Sequence, residues 1–268
     1  MRASVACLSF LTLVAIARGA DKELGSLTDE GVYETDRPGE LENPFTVPPG
    51  GAEVVNYVVG MNAAAREDVF GYGGSAVFVD TAVRFGVANR IEGVVTLDSF
   101  LSANPPQGSA PGSDDGFGYT TLLIKWNFLR GAAGDFGVAL APFVRLPLDR
   151  AIAGASRSES GLIVPFDIDL EGGWELEGST SVARAPEGTD EWSTQWENQM
   201  SLQRTLTAML AAYVELDLES GDGLPAWGTE FGVTCQLNSR VLIDLGGSAG
   251  IGRNWSGRMT YAGIGWRF

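Results

Sequence analysis

The chain has 268 residues, a formal net charge of −16, 36 glycines and no histidine. This acidic balance, without a basic stripe, excludes nucleic acid as a partner. The missing histidine excludes catalysis by Ser-His or His-Asp arrangements. Of the two cysteines, only Cys235 lies beyond the first 20 residues, so we expect neither an internal disulfide nor a cysteine metal site.

The first 20 residues have the pattern of a cleaved secretory signal peptide. Arg2 precedes an apolar run over residues 3–17, which is shorter than the roughly 20 residues that a membrane helix needs. Cleavage after Ala17, Gly19 or Ala20 fits the small residues there. A buried N-terminal helix is the alternative.

Residues 21–50 are rich in acidic residues, glycine and proline and show no sustained period. Such a composition does not specify a regular core element. We interpret this stretch as an extended N-terminal periplasmic arm or a small plug, ahead of a barrel that fills residues 51–268.

From residue 51 onward, alternating segments of about ten residues are separated by turn signals. The pattern predicts an all-β fold: a transmembrane, antiparallel, up-and-down β-barrel of about twelve strands. The predicted strands are 51–60, 74–85, 90–101, 117–128, 135–146, 161–170, 174–184, 192–203, 207–218, 227–237, 240–250 and 258–268. Counts of ten or fourteen strands are the alternatives.

The predicted connectors are of two kinds. Those after even strands are tight turns at 86–89, 130–134, 171–173, 204–206 and 238–239. Those after odd strands are mostly longer and polar, at 61–73, 102–116, 147–160, 185–191, 219–226 and 251–257. Outer-membrane barrels show this asymmetry, with the short turns facing the periplasm.

The two faces of each strand differ in polarity, because neighbouring side chains point to opposite sides. On the sixth predicted strand, Phe166 and Ile168 share one face, and Asp167 and Asp169 share the other. A soluble sandwich would hide the apolar face in a core, whereas a membrane barrel would turn it to lipid. Periodicity alone leaves both readings open.

Tryptophan positions favour the membrane barrel over the sandwich. The rings fall near strand ends at two levels, as in an aromatic girdle. Trp126, Trp174 and Trp266 fall beside predicted turns or the C-terminus, and Trp192, Trp227 and Trp255 fall beside the longer loops. Trp196 alone lies further inside a strand.

The opposite face is predicted to line a lumen in which acids outnumber bases. The candidates are Asp80, Arg84, Glu92, Asp98, Lys125, Arg145, Asp167, Asp169, Glu175, Glu177, Glu197, Glu215, Asp217, Glu230, Arg240, Asp244 and Arg267. We expect the arginines to join salt-bridged networks and the surplus acids to favour cations in any open path. Whether the lumen is open or plugged stays undecided.

We predict no catalytic, cofactor or metal site. Asp167 with Asp169, or Glu175 with Glu177, has the i, i+2 spacing of residues that share one face of a strand. Lumen lining is therefore a simpler reading than acid/base chemistry. The predicted function is a channel for the passive passage of small molecules, and a non-conducting structural or partner-binding barrel is the alternative.

The chain ends in a strand, Tyr261-Ala-Gly-Ile-Gly-Trp-Arg-Phe268, that alternates small or polar with apolar residues. This ending resembles the closing strand of bacterial outer-membrane barrels, in which Trp266 and Phe268 would be the assembly signal. The resemblance implies an outer-membrane location in a Gram-negative-type bacterium. Its partners would be outer-membrane lipids, the barrel-assembly machinery and a small-molecule solute.

The arm carries Thr35-Asp-Arg-Pro38 and then Asn43-Pro-Phe-Thr-Val-Pro48, and Glu53 follows in the first strand. These motifs resemble the opening of the outer-membrane transporter family grouped under the MetA pathway of phenol degradation. The resemblance implies a channel for aromatic or other small hydrophobic compounds. It identifies Asp36, Arg37 and Pro38 as motif residues, whose charges could tether the arm inside the barrel.

Overall fold

The structure, a computed structural model, describes residues 41–63, 75–104, 116–131, 136–148, 157–187, 191–220, 225–251 and 257–268. Its described residues form twelve β-strands. They are β1 Ala52–Ala63, β2 Ser75–Ala88, β3 Ile91–Asn104, β4 Gly116–Arg130, β5 Phe136–Pro147, β6 Glu159–Leu170, β7 Trp174–Glu187, β8 Glu191–Thr205, β9 Leu210–Ser220, β10 Ala226–Asn238, β11 Val241–Ile251 and β12 Gly257–Arg267.

The twelve strands close into one antiparallel barrel. Each strand pairs with its neighbours in the chain, and β1 also pairs with β12 from Glu53 opposite Arg267 to Ala63 opposite Gly257. Closure leaves no sheet edge, so the strands satisfy one another's backbone groups around the whole ring. The predicted fold class and strand number are confirmed.

The described part of the chain contains no helix long and apolar enough to cross a membrane.

The connections at the two ends of the barrel differ most in length in its first half. The tight connections after even strands lie at one end, together with the start of β1 and the end of β12, and this end is here called the turn end. At the other end, here called the loop end, eleven residues separate β1 from β2, β3 from β4, and β5 from β6. Only three separate β7 from β8, because β7 continues to Glu187 beyond its predicted end. The prediction of a longer loop was therefore wrong for the connection between β7 and β8. Five residues separate β9 from β10 and β11 from β12, at least as many as in any connection at the turn end.

The barrel is apolar outside and polar inside. Ile124 is 60% exposed, whereas the next residue, Lys125, is fully buried. Leu216 is 52% exposed between Glu215 at 3% and Asp217 at 7%. A soluble barrel would place the apolar face in its core, so this arrangement suits a surface that meets lipid.

Small residues make room for rings on neighbouring strands. Gly161 on β6 lies directly opposite Phe143 on β5, and the ring of Phe143 covers it. A Cβ at Gly161 would overlap the carbonyl oxygen of Val182 on β7 and would lie 2.7 Å from the ring. The same arrangement recurs where Phe166 faces Gly178. These pairs fix register because a one-residue slip would drive each ring into a side chain.

We predict that Gly161→Ala destabilises the barrel by about 1–3 kcal/mol, because the added methyl group meets backbone that cannot move aside alone. The measurement is urea unfolding of refolded protein in lipid vesicles. Gly60→Ala is the matched control, since a Cβ there meets Thr260 Oγ1 at 3.5 Å, an ordinary contact. Equal stabilities of the two variants would contradict the packing argument.

Candidate functional site

The segment 41–49 lies inside the turn end of the barrel, against β2 to β5. Leu41, Asn43, Phe45 and Val47 are buried there. Because this segment has no regular structure of its own, its backbone groups need partners from the barrel wall. Three come from inward-facing side chains: Lys125 Nζ donates to the carbonyl of Asn43 at 2.5 Å, Asn127 Nδ2 to that of Pro44 at 2.9 Å, and Arg84 Nη2 to that of Phe45 at 3.4 Å.

A buried cluster of four charges supports this docked segment. Glu92 accepts hydrogen bonds from the backbone N–H of Val47 at 2.7 Å and from Arg84 Nη2 at 2.5 Å, and it lies 3.0 Å from Lys125 Nζ. Arg84 also meets Glu53 at 3.4 Å. Charges this deeply buried are tolerated only when they are paired and hydrogen-bonded, and Glu92 meets both conditions.

The chain leaves the docked segment through a tight turn. The N–H of Gly51 donates to the carbonyl of Pro48 at 2.9 Å, and Gly50 has a φ of 84°. Proline at the second position and a positive φ at the third are the signature of a type II turn. The turn packs on Gly86 of β2, where a Cβ would overlap the carbonyl of Pro48. Gly86 therefore permits the backbone of the arm to touch the wall.

Further toward the loop end, a second charged group lies between β3, β5 and β6. Arg145 meets Asp98 at 3.0 Å and Glu159 at 3.7 Å, and its guanidinium group stacks 4.1 Å from the ring centroid of Tyr119. The inward-facing bases Arg84, Lys125 and Arg145 are thus each held by carboxylates. Acids still outnumber these bases on this side, because Asp80 also faces inward beside Glu53, Glu92 and Asp98.

The inner face of β6 to β11 is more strongly acidic. The acids on its described residues include Asp167, Glu175, Glu177, Glu197, Glu215, Asp217, Glu219, Glu230 and Asp244. The two strand arginines in this stretch, Arg184 and Arg204, are exposed on the outer face. We call this set of carboxylates the acidic arc.

Several members of the acidic arc face a like charge directly across the ladder. Asp167 is opposite Glu177, and Glu215 is opposite Glu230. Like charges at this spacing are destabilising. The arc therefore strongly favours positive charge within the barrel.

Three members of the arc converge more closely. Ligand atoms of Asp167, Glu175 and Glu177 all lie within 4.8 Å of one another, a spacing at which one cation could bridge them. Gln203 Nε2 also donates to Glu175 at 2.6 Å. Within the described residues, these side chains are the group that could hold a metal ion.

Two tyrosine side chains extend along the inner face of the wall beside the acidic arc. Tyr213 on β9 and Tyr261 on β12 face Gly232 and Gly246 on the two strands between them, so their rings extend toward each other and their hydroxyl groups meet. Tyr213 lies 3.1 Å from Asp244, and Tyr261 donates to Glu230 at 2.6 Å. The hydroxyl groups thereby solvate these two buried carboxylates.

Apolar side chains also face the interior. One cluster joins Val59, Met259 and the two tyrosines, with Tyr57 and Phe78 beside them. A second cluster joins Val94, Leu123 and Ala141, with Ala82, Phe143 and Ile163 beside them. The interior thus combines charged and apolar surfaces.

The structure places nearly all of the predicted lumen residues on the inner face. Eleven are buried: Asp80, Arg84, Glu92, Lys125, Asp167, Glu175, Glu177, Glu215, Asp217, Glu230 and Asp244. Asp98, Arg145, Glu197 and Arg267 are partly exposed, and Asp169 is exposed near the end of β6.

The prediction that Arg240 lines the lumen was wrong. It lies exposed in the two-residue turn before β11, where its backbone accepts a hydrogen bond from Arg267 N–H at 2.9 Å. The strand begins one residue later than predicted, which removes this side chain from the wall.

Sequence reasoning missed Glu42, Asn127 and the tyrosine pair. Glu42 meets Lys125 at 3.1 Å, but nothing local in the aperiodic arm marks it. Tyr213 could have been found, because it continues the same alternate face as Glu215 and Asp217. Asp36, Arg37 and Pro38 lie outside the described residues.

The predicted girdle residues within the described part of the chain lie on the outer face. Trp126 and Trp266 are exposed near the turn end, and Trp192 and Trp227 are exposed near the loop end. Trp174 is half-buried beneath Arg204, whose guanidinium carbon lies 4.7 Å from its ring centroid. Trp255 lies outside the described residues, and Trp196 is exposed at 47% further along β8.

The protein has the features of the outer-membrane β-barrel class. Its twelve strands close into a barrel with an apolar outer face, a charged interior and tryptophan rings near both ends. Residues 35–268 match the family model described as "Putative MetA-pathway of phenol degradation". The chain belongs to this family, as the arm motifs indicated. No curated protein matches the sequence significantly.

Solved structures share the fold. An outer membrane channel from Pseudomonas putida F1 superposes with a TM-score of 0.66 at 11% identity, covering 86% of this chain and 100% of that one. The NanC porin gives a TM-score of 0.56 at 8% identity, covering 79% and 98%. The KdgM porin, solved with disordered oligogalacturonate, gives 0.56 at 6%, covering 81% and 99%. At these identities the likeness establishes architecture alone.

We predict that Gly86→Ala displaces the arm from the wall, because its methyl group would occupy the place of the Pro48 carbonyl. Limited proteolysis of refolded protein should then cleave within 41–49 at least tenfold faster than in the parent chain, the expected result if docking is weakened by about 1.4 kcal/mol or more. Gly60→Ala is again the control and should leave the cleavage rate unchanged. Resistance of the Gly86→Ala arm to protease would show that docking does not depend on this contact.

Proposed function

We propose that the protein is an outer-membrane channel through which small molecules pass passively, and that it is not an enzyme. The turn end would face the periplasm and the loop end the cell exterior, as in other outer-membrane barrels. The likeness in architecture to the Pseudomonas putida channel and to two porins supports this proposal.

The acidic arc is the observation that carries the proposal. A barrel that served only as a scaffold would gain nothing from placing Glu215 opposite Glu230, since the pair costs stability. A path for positively charged or polarisable solutes gains from it, because rings of carboxylates attract cations and repel anions. The lumen is therefore proposed to favour cations.

The apolar clusters and the tyrosine rings narrow the proposed solute class. Val59, Met259 and Tyr261 present apolar and aromatic surface beside the carboxylates of Glu230 and Asp244. Small aromatic or hydrophobic compounds, neutral or cationic, match this mixture better than aromatic acids do. The family description, which refers to phenol degradation, points the same way.

Strand number and the docked arm limit solute size. Eight strands leave an interior filled by side chains and sixteen leave an aqueous channel, so twelve strands are intermediate. The segment 41–49 takes up part of that space at the turn end. Large solutes are thereby excluded from the proposed path.

A non-conducting barrel that binds partners is the second candidate. The burial of Arg84, Lys125 and Glu92 beneath the arm favours it, because such contacts stiffen an interior without needing passage. Single-channel recording from refolded protein in planar bilayers separates the two. A complete absence of conductance would favour this second candidate.

We predict that the double variant Glu215→Gln/Glu230→Gln lowers cation preference while leaving the fold intact. Glutamine removes the facing negative charges but keeps the shape and an acceptor for the Tyr261 hydroxyl. The permeability ratio of potassium to chloride, from reversal potentials in a salt gradient, should fall by roughly twofold or more. Glu171→Gln, at an exposed turn residue, is the control. Anion preference in the parent protein would refute the acidic-lumen proposal.

We also propose that Phe268 acts in assembly rather than in selectivity. Deleting it should lower the amount of folded barrel in outer-membrane fractions several-fold, because the closing strand would lose its terminal ring. Heat-modifiable gel mobility of those fractions provides the measurement. Phe268→Trp retains an aromatic ring and should retain assembly. Parent-level assembly of the deletion variant would refute this role.

A further inference from the structure

Two polar side chains meet on the outer wall, halfway between its two ends. Thr180 of β7 lies directly opposite Asn198 of β8, and its hydroxyl donates to Asn198 Oδ1 at 3.0 Å. Both side chains are exposed, and they share a face with Trp196 and Met200, which are 47% and 52% exposed. We call these four residues the mid-wall patch. It lies on the surface whose other residues suit lipid.

Position along β8 places the patch at the middle of the apolar band. Asn198 is six residues from Trp192 at the loop end and six from Arg204 at the turn end. At about 3.3 Å per residue, each of these positions is about 20 Å away along a strand that is tilted in the wall. Water and lipid headgroups do not reach a side chain at that depth. The amide of Asn198 therefore depends on protein for its partners.

One hydrogen bond does not satisfy this amide. A primary amide has two N–H groups and two acceptor positions, and the contact with Thr180 uses one of the four, whichever way the amide is turned. Within the described residues, Asn198 makes no other hydrogen bond. An unsatisfied amide is unfavourable in an apolar medium, and polar side chains inside membranes accordingly serve as contacts between protein segments.

The neighbours of the amide are of the types that protein interfaces favour. Trp196 and Met200 flank Asn198 on the outer face of β8, two residues away on either side. Aromatic residues and methionine are enriched in protein interfaces. Trp196 also lies four residues further into the wall than Trp192, so contact with headgroups does not account for its position. An interface with protein accounts for the ring and the amide together.

The membrane limits which surface can meet the patch. Copies of one barrel insert in one orientation, so contacts between them join residues at the same depth. A two-fold axis along the membrane normal, beside β8, would bring Asn198 against Asn198 of a second copy. Two primary amides are complementary, because each can donate an N–H to the oxygen of the other. The oxygen that accepts from Thr180 keeps a second lone pair for this contact.

A second polar pair on the outer wall lies at a different depth. Thr81 Oγ1 donates to Asn56 Oδ1 at 2.7 Å across β1 and β2. Asn56 is partly buried and lies opposite Ile264, only two residues from Trp266 at the turn end. Headgroups and water are therefore within reach of its amide. A head-to-tail contact between this pair and the mid-wall patch would join groups at unequal depths.

We propose that the mid-wall patch is the interface of a symmetric dimer in the membrane, with a second copy of this chain as the partner. The two Asn198 amides pair on the two-fold axis, and Trp196 and Met200 pack around them. The interface lies on the outer wall and goes beyond the proposed channel function, which uses the inner face. Each barrel of the dimer keeps its own lumen.

The test is sedimentation equilibrium of refolded protein in density-matched detergent, which gives the dissociation constant of the dimer. The parent protein should dimerise, and Asn198→Leu should weaken dimerisation by about tenfold, because leucine removes the paired amides. Leucine suits lipid, so this variant should fold like the parent, as checked by heat-modifiable gel mobility. Asn56→Leu removes an outward amide of the same kind and should leave the dissociation constant within twofold. Asn198→Gln keeps an amide and should fall between parent and leucine variant.

A second measurement leaves the amide in place and identifies the partner. A photoreactive benzoylphenylalanine in place of Met200 should cross-link two copies of the chain in outer membranes. The same replacement of Val58, which is 45% exposed on β1 across the barrel, is the control and should give no cross-linked dimer.

A parent protein that stays monomeric at every concentration would overturn the proposal. So would an unchanged dissociation constant in Asn198→Leu, or an equal loss in Asn56→Leu. Cross-links from position 200 to a different protein, or to lipid alone, would assign another occupant to the patch and would overturn it equally.

Discussion

Pairing of β1 with β12 is the constraint on which the structure depends. Within a bilayer, a backbone group without a partner costs several kcal/mol, so a sheet that spans lipid must close. The seam provides this closure over the full length of both strands, and it places Glu53 directly opposite Arg267. Once the ring is closed, the alternation of side chains divides every strand into a lipid face and an interior face.

Division into two faces then determines where charge can lie. Charged side chains on the lipid face carry a cost that grows toward the midplane, and accordingly Arg184 and Arg204 occur near strand ends beside Trp192 and Trp174. Most other charges on the strands are directed inward, where a limited volume forces them together. Bases on β2 to β5 pair with carboxylates, whereas the arc on β6 to β11 has tyrosine and amide donors.

The sequence was sufficient to predict the barrel fold, because the alternation of side chains with a period of two residues is a local property. It can be recognised in each strand separately. Strand ends are less well defined, and a shift of one residue moved Arg240 from the wall into a turn. Docking of the arm could not be derived, since it joins Asn43 to Lys125 and Pro44 to Asn127 across more than 80 positions. The motif Asn43 to Pro48 marked that segment without indicating its partners.

The docked arm and the acidic arc together shape the path that remains. Three of the side chains that hold the arm, Arg84, Lys125 and Asn127, donate to its carbonyl groups, and they lie on β2 and β4. In a ring of twelve strands, this position is across the barrel from β8 to β10. The arm thus covers Arg84 and Lys125 together with their partners Glu53 and Glu92, and it leaves the carboxylates of the opposite wall to face the lumen. In the proposed channel, docking would therefore narrow the path and leave the acidic arc as the main charged surface along it.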